Sequence, residues 1–294
     1  MKLVTVFGGT GYLGRRVAER FGEAGWSVRI AARHPPRQGQ LPAHCTAQIA
    51  DIRNARDVAV ALEGAACAVN AVSAYVERGG ISYEDVHVAG ASLLAQACAS
   101  AGLSALIHVS GIGADAGARS RYISARGRGE EAVRKIFPKA TVLRPGAMMG
   151  GAGGLVAALD GIARLTPVVP LIGGGGTRLQ PVHVEDVAIA ALRSAGREGG
   201  RIYELGGADV VSLSEIVRRT LAFRNRRRLL LPVPFAMARA LAVVGERLPG
   251  APLTRAQVEL LQDDNVVSKR MPGLAELGIE ARGLEAALNE LVGG

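Results

Sequence analysis

Gly8, Gly11 and Gly14 recur at intervals of three, directly after the apolar run Leu3 to Phe7 and at the start of a helical pattern reaching about Glu23. A strand, a tight glycine turn and a helix in that order leave little choice of fold. Glycine lets the backbone turn sharply and approach a pyrophosphate, while the helix N-terminus offers amide donors and a favourable dipole. A glycine triplet alone also makes ordinary turns. Its place at residue 8, between strand and helix, makes this one specific.

The rest of the first two thirds keeps the same rhythm. Gly25 stops the first helix, and Ser27 to Ala32 reads as the second strand. His44 to Ile49, Cys67 to Val72 and Ala105 to Val109 read as further strands. A helix is expected from about Tyr83 to Ser100, ended by Gly102, and another from Arg121 to Ile136 before Pro138 and the strand Thr141 to Arg144. Short apolar runs alternating with helical patterns specify βαβ units, so the fold class is α/β, a doubly wound parallel Rossmann sheet. From Gly146 the pattern changes. A loop at Gly150 to Gly154, a short helix, the Pro-rich stretch Thr166 to Pro170 and four glycines at 173–176 precede short strands at Leu179 to Val182 and Arg201 to Leu205. Val184 to Ser194 is a helix between those strands. Beyond Gly207 the pattern is mostly helical, with Ser212 and Glu215 spaced as a capping box. The expected division is a nucleotide-binding domain over 1–150, rejoined by 178–207, and a smaller, mostly helical lobe from 151–177 and 208–294.

Composition narrows the partners. The 294 residues carry 35 Lys plus Arg against 26 Asp plus Glu, a net charge of +9, and only Lys2, Lys135, Lys139 and Lys269 are lysines. Nucleic acid is excluded as a partner, because aromatics are 4% and no recognised nucleic-acid motif is present. Cys45, Cys67 and Cys98 are odd in number and lack CxxC spacing, which argues against a disulfide frame or metal site. The five histidines are scattered, and His108 and His183 read as packed or pocket-lining residues. The N-terminal MKLVTVFGG is too short in apolar residues for a signal-peptide core, so a cytoplasmic or matrix-like location is expected, with peripheral contact at the inner face of the cytoplasmic membrane as a further reading. That peripheral contact would run through 224–244, where Arg224, Arg226, Arg227 and Arg228 precede the apolar segment Leu229 to Val244. The competing reading of this stretch is a solvated charge run beside a helix that closes over the Rossmann lobe.

The second strand ends Ala31-Ala32-Arg33-His34, without the carboxylate that usually takes the adenosine ribose. An arginine there suits a 2′-phosphate, favouring NADP(H) over NAD(H). Asp51-Ile52, after the third strand, either meets the adenine amine or caps the following segment. Ser110 follows the fifth strand, and Tyr122 and Arg126 share a helix face at i, i+4. A tyrosine beside a cation can donate a proton to a carbonyl whose oxygen a serine orients. The candidate catalytic set is therefore Ser110, Tyr122 and Arg126. Arginine cannot relay a proton as lysine does, so Arg126 weighs against turnover.

The chain resembles atypical and extended short-chain dehydrogenases, and among them the family of the NADPH-binding accessory subunit of respiratory complex I. The resemblance rests on VTVFGGTGYLGRRV near the start, LRPGAMMG at 143–150, PLIGGGGTRLQPVHVEDVA at 170–188, YELGG at 203–207 and LLLPVPFAMARALA at 229–242. PLTRAQVELLQDDNVV at 252–267 and GLAELGI at 273–279 complete it. It implies a tightly held, structural NADP(H) and association with complex I or quinone-related membrane machinery. By the same match Gly8, Thr10, Gly11, Tyr12, Leu13 and Gly14 line the phosphates. Arg33, with His34 beside it, takes the 2′-phosphate, Asp51 and Ile52 approach adenine, and Ala71, Val72 and Ser73 approach the ribose. Tyr122, Arg126 and Pro145 surround the nicotinamide end. Active superfamily members carry lysine where this chain has Arg126. The alternative implied function is an NADP-dependent reductase or epimerase/dehydratase with Tyr122 as acid/base, and a weaker one is a redox sensor.

Overall fold

The computed structural model describes residues 2–42, 44–247 and 253–293. Met1, Pro252 at the head of the 252–267 block, residues 248–251 and Gly294 of the expected second lobe lie outside the described residues, as does Ala43. In chain order the Rossmann part comprises β1 (Leu3–Phe7), α1 (Tyr12–Glu23), β2 (Ser27–Ala32), β3 (Cys45–Ile49), α2 (Ala55–Leu62) and β4 (Cys67–Asn70). It continues with α3 (Ala91–Ser100), β5 (Ala105–Val109), α4 (Arg121–Ile136) and β6 (Thr141–Pro145). There follow β7 (Met148–Met149), α5 (Leu155–Leu165), β8 (Val168–Ile172), β9 (Arg178–Leu179), β10 (Val182–His183), α6 (Val184–Ala195) and β11 (Ile202–Leu205). The remainder is β12 (Val211–Ser212), α7 (Leu213–Phe223), β13 (Leu229–Val233), α8 (Phe235–Gly245), α9 (Arg255–Leu260) and α10 (Leu284–Asn289).

Seven parallel strands form the central sheet in the order β11-β6-β5-β4-β1-β2-β3. The chain winds outward both ways from β1, so the topological switch point lies between the carboxyl ends of β1 and β4, where such sheets bind ligands. Both faces are covered. Val4, Val6, Val28 and Ile30 pack with Val17 and Phe21 of α1 and Val187 of α6. The alternate residues Phe7 and Ala31 pack with Val58, Leu62, Leu94 and Val133 on the other face. Burial on both faces explains why the strands read as continuous apolar runs. Each fully buried Val or Phe contributes about 1.5–3 kcal/mol.

Several boundaries differ from the sequence expectation for local reasons. The strand at Cys67 ends at Asn70, because the Asn70 side chain accepts from the Val72 amide and turns the chain. Residues Glu84–Gly90 are π-helical before α3 begins. The segment after Asp51 does form a helix, α2, and its N-cap is Asn54, whose side chain accepts from the Arg56 and Asp57 amides. The expected strand Leu179 to Val182 is split at Gln180-Pro181: β9 pairs antiparallel with β12, and β10 pairs parallel with β7. The Pro-rich stretch is in part a strand, β8, parallel to β13, which itself begins the apolar 229–244 segment. Ser212 accepts from the Glu215 amide, but the Glu215 carboxylate pairs with Arg219, so only one side of the expected capping box is formed. The full box is at Thr254 and Gln257.

Candidate nucleotide site

At the switch point the glycines are required by contact. Gly8 has φ +77°, and a Cβ on it would lie 2.8 Å from Ala71 O, so the end of β4 crosses directly over the turn. A Cβ on Gly14 would overlap Gly8 O, and one on Gly9 would lie 2.9 Å from Ile30 Cγ2. The Gly11 amide donates to Gly8 O at 2.9 Å, closing the turn. No side chain caps α1 and its first turn holds no acidic residue, so its dipole faces the switch point unopposed. Thr10, Tyr12 and Leu13 complete this cradle, with Leu13 buried in the core and Tyr12 partly buried. The cradle fits the pyrophosphate of a dinucleotide: glycine backbone where a ligand must approach, and free helix-end donors.

The loop that follows β7 lies on the first residue of α1. The Tyr12 hydroxyl donates to Gly150 O, and a Cβ on Gly153 would lie 2.6 Å from the Tyr12 ring. The Gly151 amide donates to Glu290 at 2.6 Å, and His183 Nε2 stands 3.1 Å from the same carboxylate. Burial and the Glu290 charge push the Tyr12 phenol well above its ordinary pKa.

Toward the expected adenine end, Arg33 and His34 are exposed where β2 stops. Arg33 has no hydrogen bond or ion pair among the described residues, which leaves its guanidinium free for an anion. Asp51 does not cap the helix that follows it. Its carboxylate accepts from Arg53 Nε and Nη2, at 3.0 and 2.5 Å, and that guanidinium holds it below the usual carboxylate range, with Arg33 adding to the effect. The helix cap is Asn54, not Asp51. Ile52 is buried and packs on Gly90, where a Cβ would meet its Cγ2 at 2.9 Å. Ala71 and Val72 are partly buried beside Gly8, and Ser73 is exposed.

The candidate catalytic side chains also come together. Arg126 Nη1 donates to Tyr122 Oη at 2.6 Å, and its guanidinium packs on Gly111, where a Cβ would lie 3.0 Å away. Ser110 is 3% exposed and its hydroxyl has no partner among the described residues. Tyr122 is fully buried. Its ring is stacked by Tyr75 at 5.3 Å and meets Tyr83 and His87 edge-on at 5.4 and 5.5 Å. Burial pushes the phenol well up, outweighing the downward pull of Arg126 and Ser73.

Two buried histidines flank this cation. His87 is lowered to about 4 and His108 to about 3, by burial first and the Arg126 charge second. His108 Nδ1 pairs with the Asn70 amide at 3.2 Å, and His87 Nε2 lies 3.1 Å from Ala74 O. Beside Tyr122 and Arg126 remains a cavity of only about 10 Å³, walled by Gly111 to Ala114, Ile123 and Leu260. Ala256 of α9 joins the same apolar cluster. Pro145 is buried at the end of β6, where its carbonyl accepts from the Ile112 amide.

Sequence reasoning missed Tyr75, Tyr83, His87 and the α9 residues. It also passed over Gly127 and Gly129, which let α4 approach Ala116 and the His87 carbonyl. Two glycines inside a helix were the available signal.

The basic cluster at 224–228 is largely spent internally. Arg226 Nη1 reaches Asp160 Oδ1 at 2.5 Å and Arg224 Nη2 reaches Oδ2 at 3.2 Å, while Arg228 Nε donates to Ala163 O. Arg227 is exposed. No helix among the described residues is long and apolar enough to cross a membrane.

Comparison with known proteins agrees with this geometry. The NAD(P)H-binding family profile matches residues 8–169. An Arabidopsis thaliana protein, NADH dehydrogenase [ubiquinone] 1 alpha subcomplex subunit 9, mitochondrial, is 31% identical over 82% of this chain and 62% of its own length. The match thus spans less than two thirds of that relative. The mitochondrial 40 kDa subunit of NADH-ubiquinone oxidoreductase from Neurospora crassa is 28% identical over 94% of this chain and 75% of its own. Among solved structures, Thermus thermophilus UDP-glucose 4-epimerase with NAD superposes with a TM-score of 0.73 at 18% identity, over 99% of both chains. Bacillus anthracis dTDP-4-dehydrorhamnose reductase with NADP does so with 0.73 at 16%, over 100% of both. The shared fold accommodates either nucleotide and does not choose between them.

The relatives correct one expectation. The Arabidopsis and Neurospora relatives are named as mitochondrial proteins, which goes against the expected cytoplasmic location. The three cysteines form no disulfide among the described residues, which does not distinguish one reducing compartment from another. The chain belongs to the NAD(P)H-binding family, with the architecture of extended short-chain dehydrogenases and homologues among the accessory subunits of respiratory complex I.

Proposed function

We propose that this protein holds NADP(H) as a structural ligand and serves as an accessory protein of a respiratory complex. The observation that carries the reading is the contrast between a phosphate cradle with free donors and a phenol at Tyr122 that is fully buried beside a cavity of about 10 Å³. That volume is at the lower limit for a single water. Gly8, Thr10, Gly11, Tyr12, Leu13 and Gly14 bind the pyrophosphate, and Arg33 with His34 takes the 2′-phosphate. Asp51 and Ile52 border the adenine, Ala71, Val72 and Ser73 the ribose, and Tyr122, Arg126 and Pro145 the nicotinamide end. When bound, the nucleotide can supply a hydride. The residues here hold a proton on Tyr122 and exclude water instead of delivering that proton. Ligand at 100 times its dissociation constant stabilises the fold by ~2.7 kcal/mol, reason enough to retain it without turnover.

The Rossmann domain, 1–150 with 178–207, would carry the nucleotide, and the lobe of 151–177 and 208–294 would meet the partner. Within that lobe α8 exposes Met237, Leu241 and Val244, beside exposed Leu229 and Leu231 of β13. Arg227, Arg239 and Arg247 are exposed in the same segment, which thus joins exposed cations to exposed apolar side chains as an anionic membrane surface would need. Binding to anionic vesicles should fall with salt and in the variant Arg227→Ser/Arg239→Ser. Arg224 and Arg226 are left intact in that test because they neutralise buried Asp160.

Ser110 supports a second reading, an NADP-dependent reductase or epimerase/dehydratase. A buried hydroxyl without a partner suits a reactant oxygen, with Tyr122 as acid/base and Arg126 as its cation. The experiment that separates the readings is gel filtration of purified protein with NADPH fluorescence, followed by addition of carbonyl compounds. Retained fluorescence without oxidation supports the structural role. Oxidation abolished by Tyr122→Phe, with binding intact, supports the enzyme.

A further inference from the structure

Four groups close over the Tyr122 ring, and they are not equally fixed. Tyr83 and His87 are 8% and 7% exposed, and each is tied to the chain around Tyr75: Tyr83 Oη donates to Tyr75 O at 3.0 Å and His87 Nε2 meets Ala74 O. Arg126 is held by Tyr122 itself. Tyr75 differs. Its ring stacks on Tyr122 at 5.3 Å with an interplanar angle of 28°, yet it is 39% exposed. It stands on the segment between β4 and the π-helical turns, where Gly79 and Gly80 have φ of +62° and +75° and would meet nothing within 4 Å. That segment is anchored beyond Tyr75 by Glu77, which pairs with Arg121 and accepts from the Tyr83 amide. The anchors hold the segment on which Tyr75 stands, while the exposed Tyr75 side chain itself is held by its stack and its side-chain hydrogen bond on Tyr122.

We propose that Tyr75 is a gate over Tyr122, a positioning residue whose ring decides whether the phenol and the Arg126 guanidinium meet solvent and ligands. With the ring stacked, Tyr75 covers one face of the Tyr122 ring, while Ile123, Leu260 and Ala256 belong to the same apolar cluster. With the ring swung out, the face of Tyr122 that Tyr75 covered is open to a flat group of similar size.

The inference rests on the sealed-site reading above, and nitration with tetranitromethane, mapped by mass spectrometry, separates the two. Tyr203, 4% exposed in β11, is the reference for global unfolding. In the full-length wild-type protein Tyr75 should be nitrated and Tyr122 spared. Tyr75→Ala should raise nitration of Tyr122 relative to Tyr203 by about tenfold, the scale of one lost aromatic stack. Tyr75→Phe removes the hydrogen bond to Tyr122 but keeps the stacked ring, so Tyr122 should be nitrated far less than in Tyr75→Ala. Leu260→Ala should also leave it protected, since that side opens onto α9. Nitration of Tyr122 in the wild-type protein would defeat both the gate and the sealed-site reading. Protection unchanged in Tyr75→Ala, an equal rise at Tyr122 and Tyr203, or exposure by Leu260→Ala as large as by Tyr75→Ala would overturn the gate alone.

Discussion

The phosphate turn and the Tyr122 pocket lie at the same end of one sheet and are built on opposite principles. The turn is kept empty of side chains: Gly8 and Gly14 are glycine because a Cβ would collide, and α1 has no side-chain cap and no acidic residue in its first turn. The pocket is filled: three rings, a guanidinium, Ile123 and Leu260 surround a phenol with no exposed surface. One region conserves its hydrogen-bonding capacity for a ligand, and the other spends its capacity within the protein. An enzyme of this architecture needs both regions open, whereas a protein that only holds a nucleotide needs the first.

The largest effect should come from filling the turn. Gly14→Val places a side chain against Gly8 O, so NADPH binding should weaken by ~100-fold or more, with about 1–3 kcal/mol of overpacking destabilisation. Equilibrium titration of nucleotide fluorescence and thermal unfolding read the two parts. Undiminished binding would remove the turn from the site.

Acid should attack the other region first. His87 and His108 are lowered in the folded state to about 4 and about 3, so the unfolded chain binds more protons below pH ~6.5. Their neutral forms stabilise the fold fully above that pH. Stability should fall as the pH drops from 6.5 toward 4, by at most about 1.4 kcal/mol per pH unit for each histidine. Denaturant midpoints of His87→Gln across that range check the sign, because the variant should show a shallower slope.

Tyr122→Phe is the next smaller perturbation. It removes the acceptor of Arg126 and should cost about 1–3 kcal/mol of stability while leaving nucleotide retention in place. Loss of nucleotide in that variant would show the two regions to be one site. The smallest effect should follow Arg33→Ser, which removes a free surface guanidinium and should reduce preference for NADPH over NADH by about tenfold, or ~1.4 kcal/mol. Parallel titrations with the two nucleotides measure it.

The two regions also differ in how far their residues announced them. Strand, turn and helix lie within 21 consecutive residues, from Leu3 to Glu23, and the glycine constraints there are local, so the cradle was legible in the amino-acid order. The helix α4 and the i, i+4 pairing of Tyr122 with Arg126 were legible for the same reason. What closes the pocket was not. Tyr75 and Leu260 reach Tyr122 from distant segments, and no period or spacing links them. Asp160 likewise neutralises Arg224 and Arg226 across 64 and 66 residues, so a run of arginines that reads as a free basic patch is mostly an internal ion-pair cluster. Asp51 shows the same limit at short range, where Asn54 supplies the helix cap that Asp51 also suited and Arg53 pairs with the Asp51 carboxylate.

The decisive measurement is the fate of NADPH on the wild-type protein. Protein passed through gel filtration and then mixed with carbonyl compounds should keep the fluorescence of bound NADPH without exchange or oxidation. Loss of the nucleotide on the column, or its oxidation at a rate that Tyr122→Phe abolishes, would contradict a structural nucleotide held beside a sealed tyrosine.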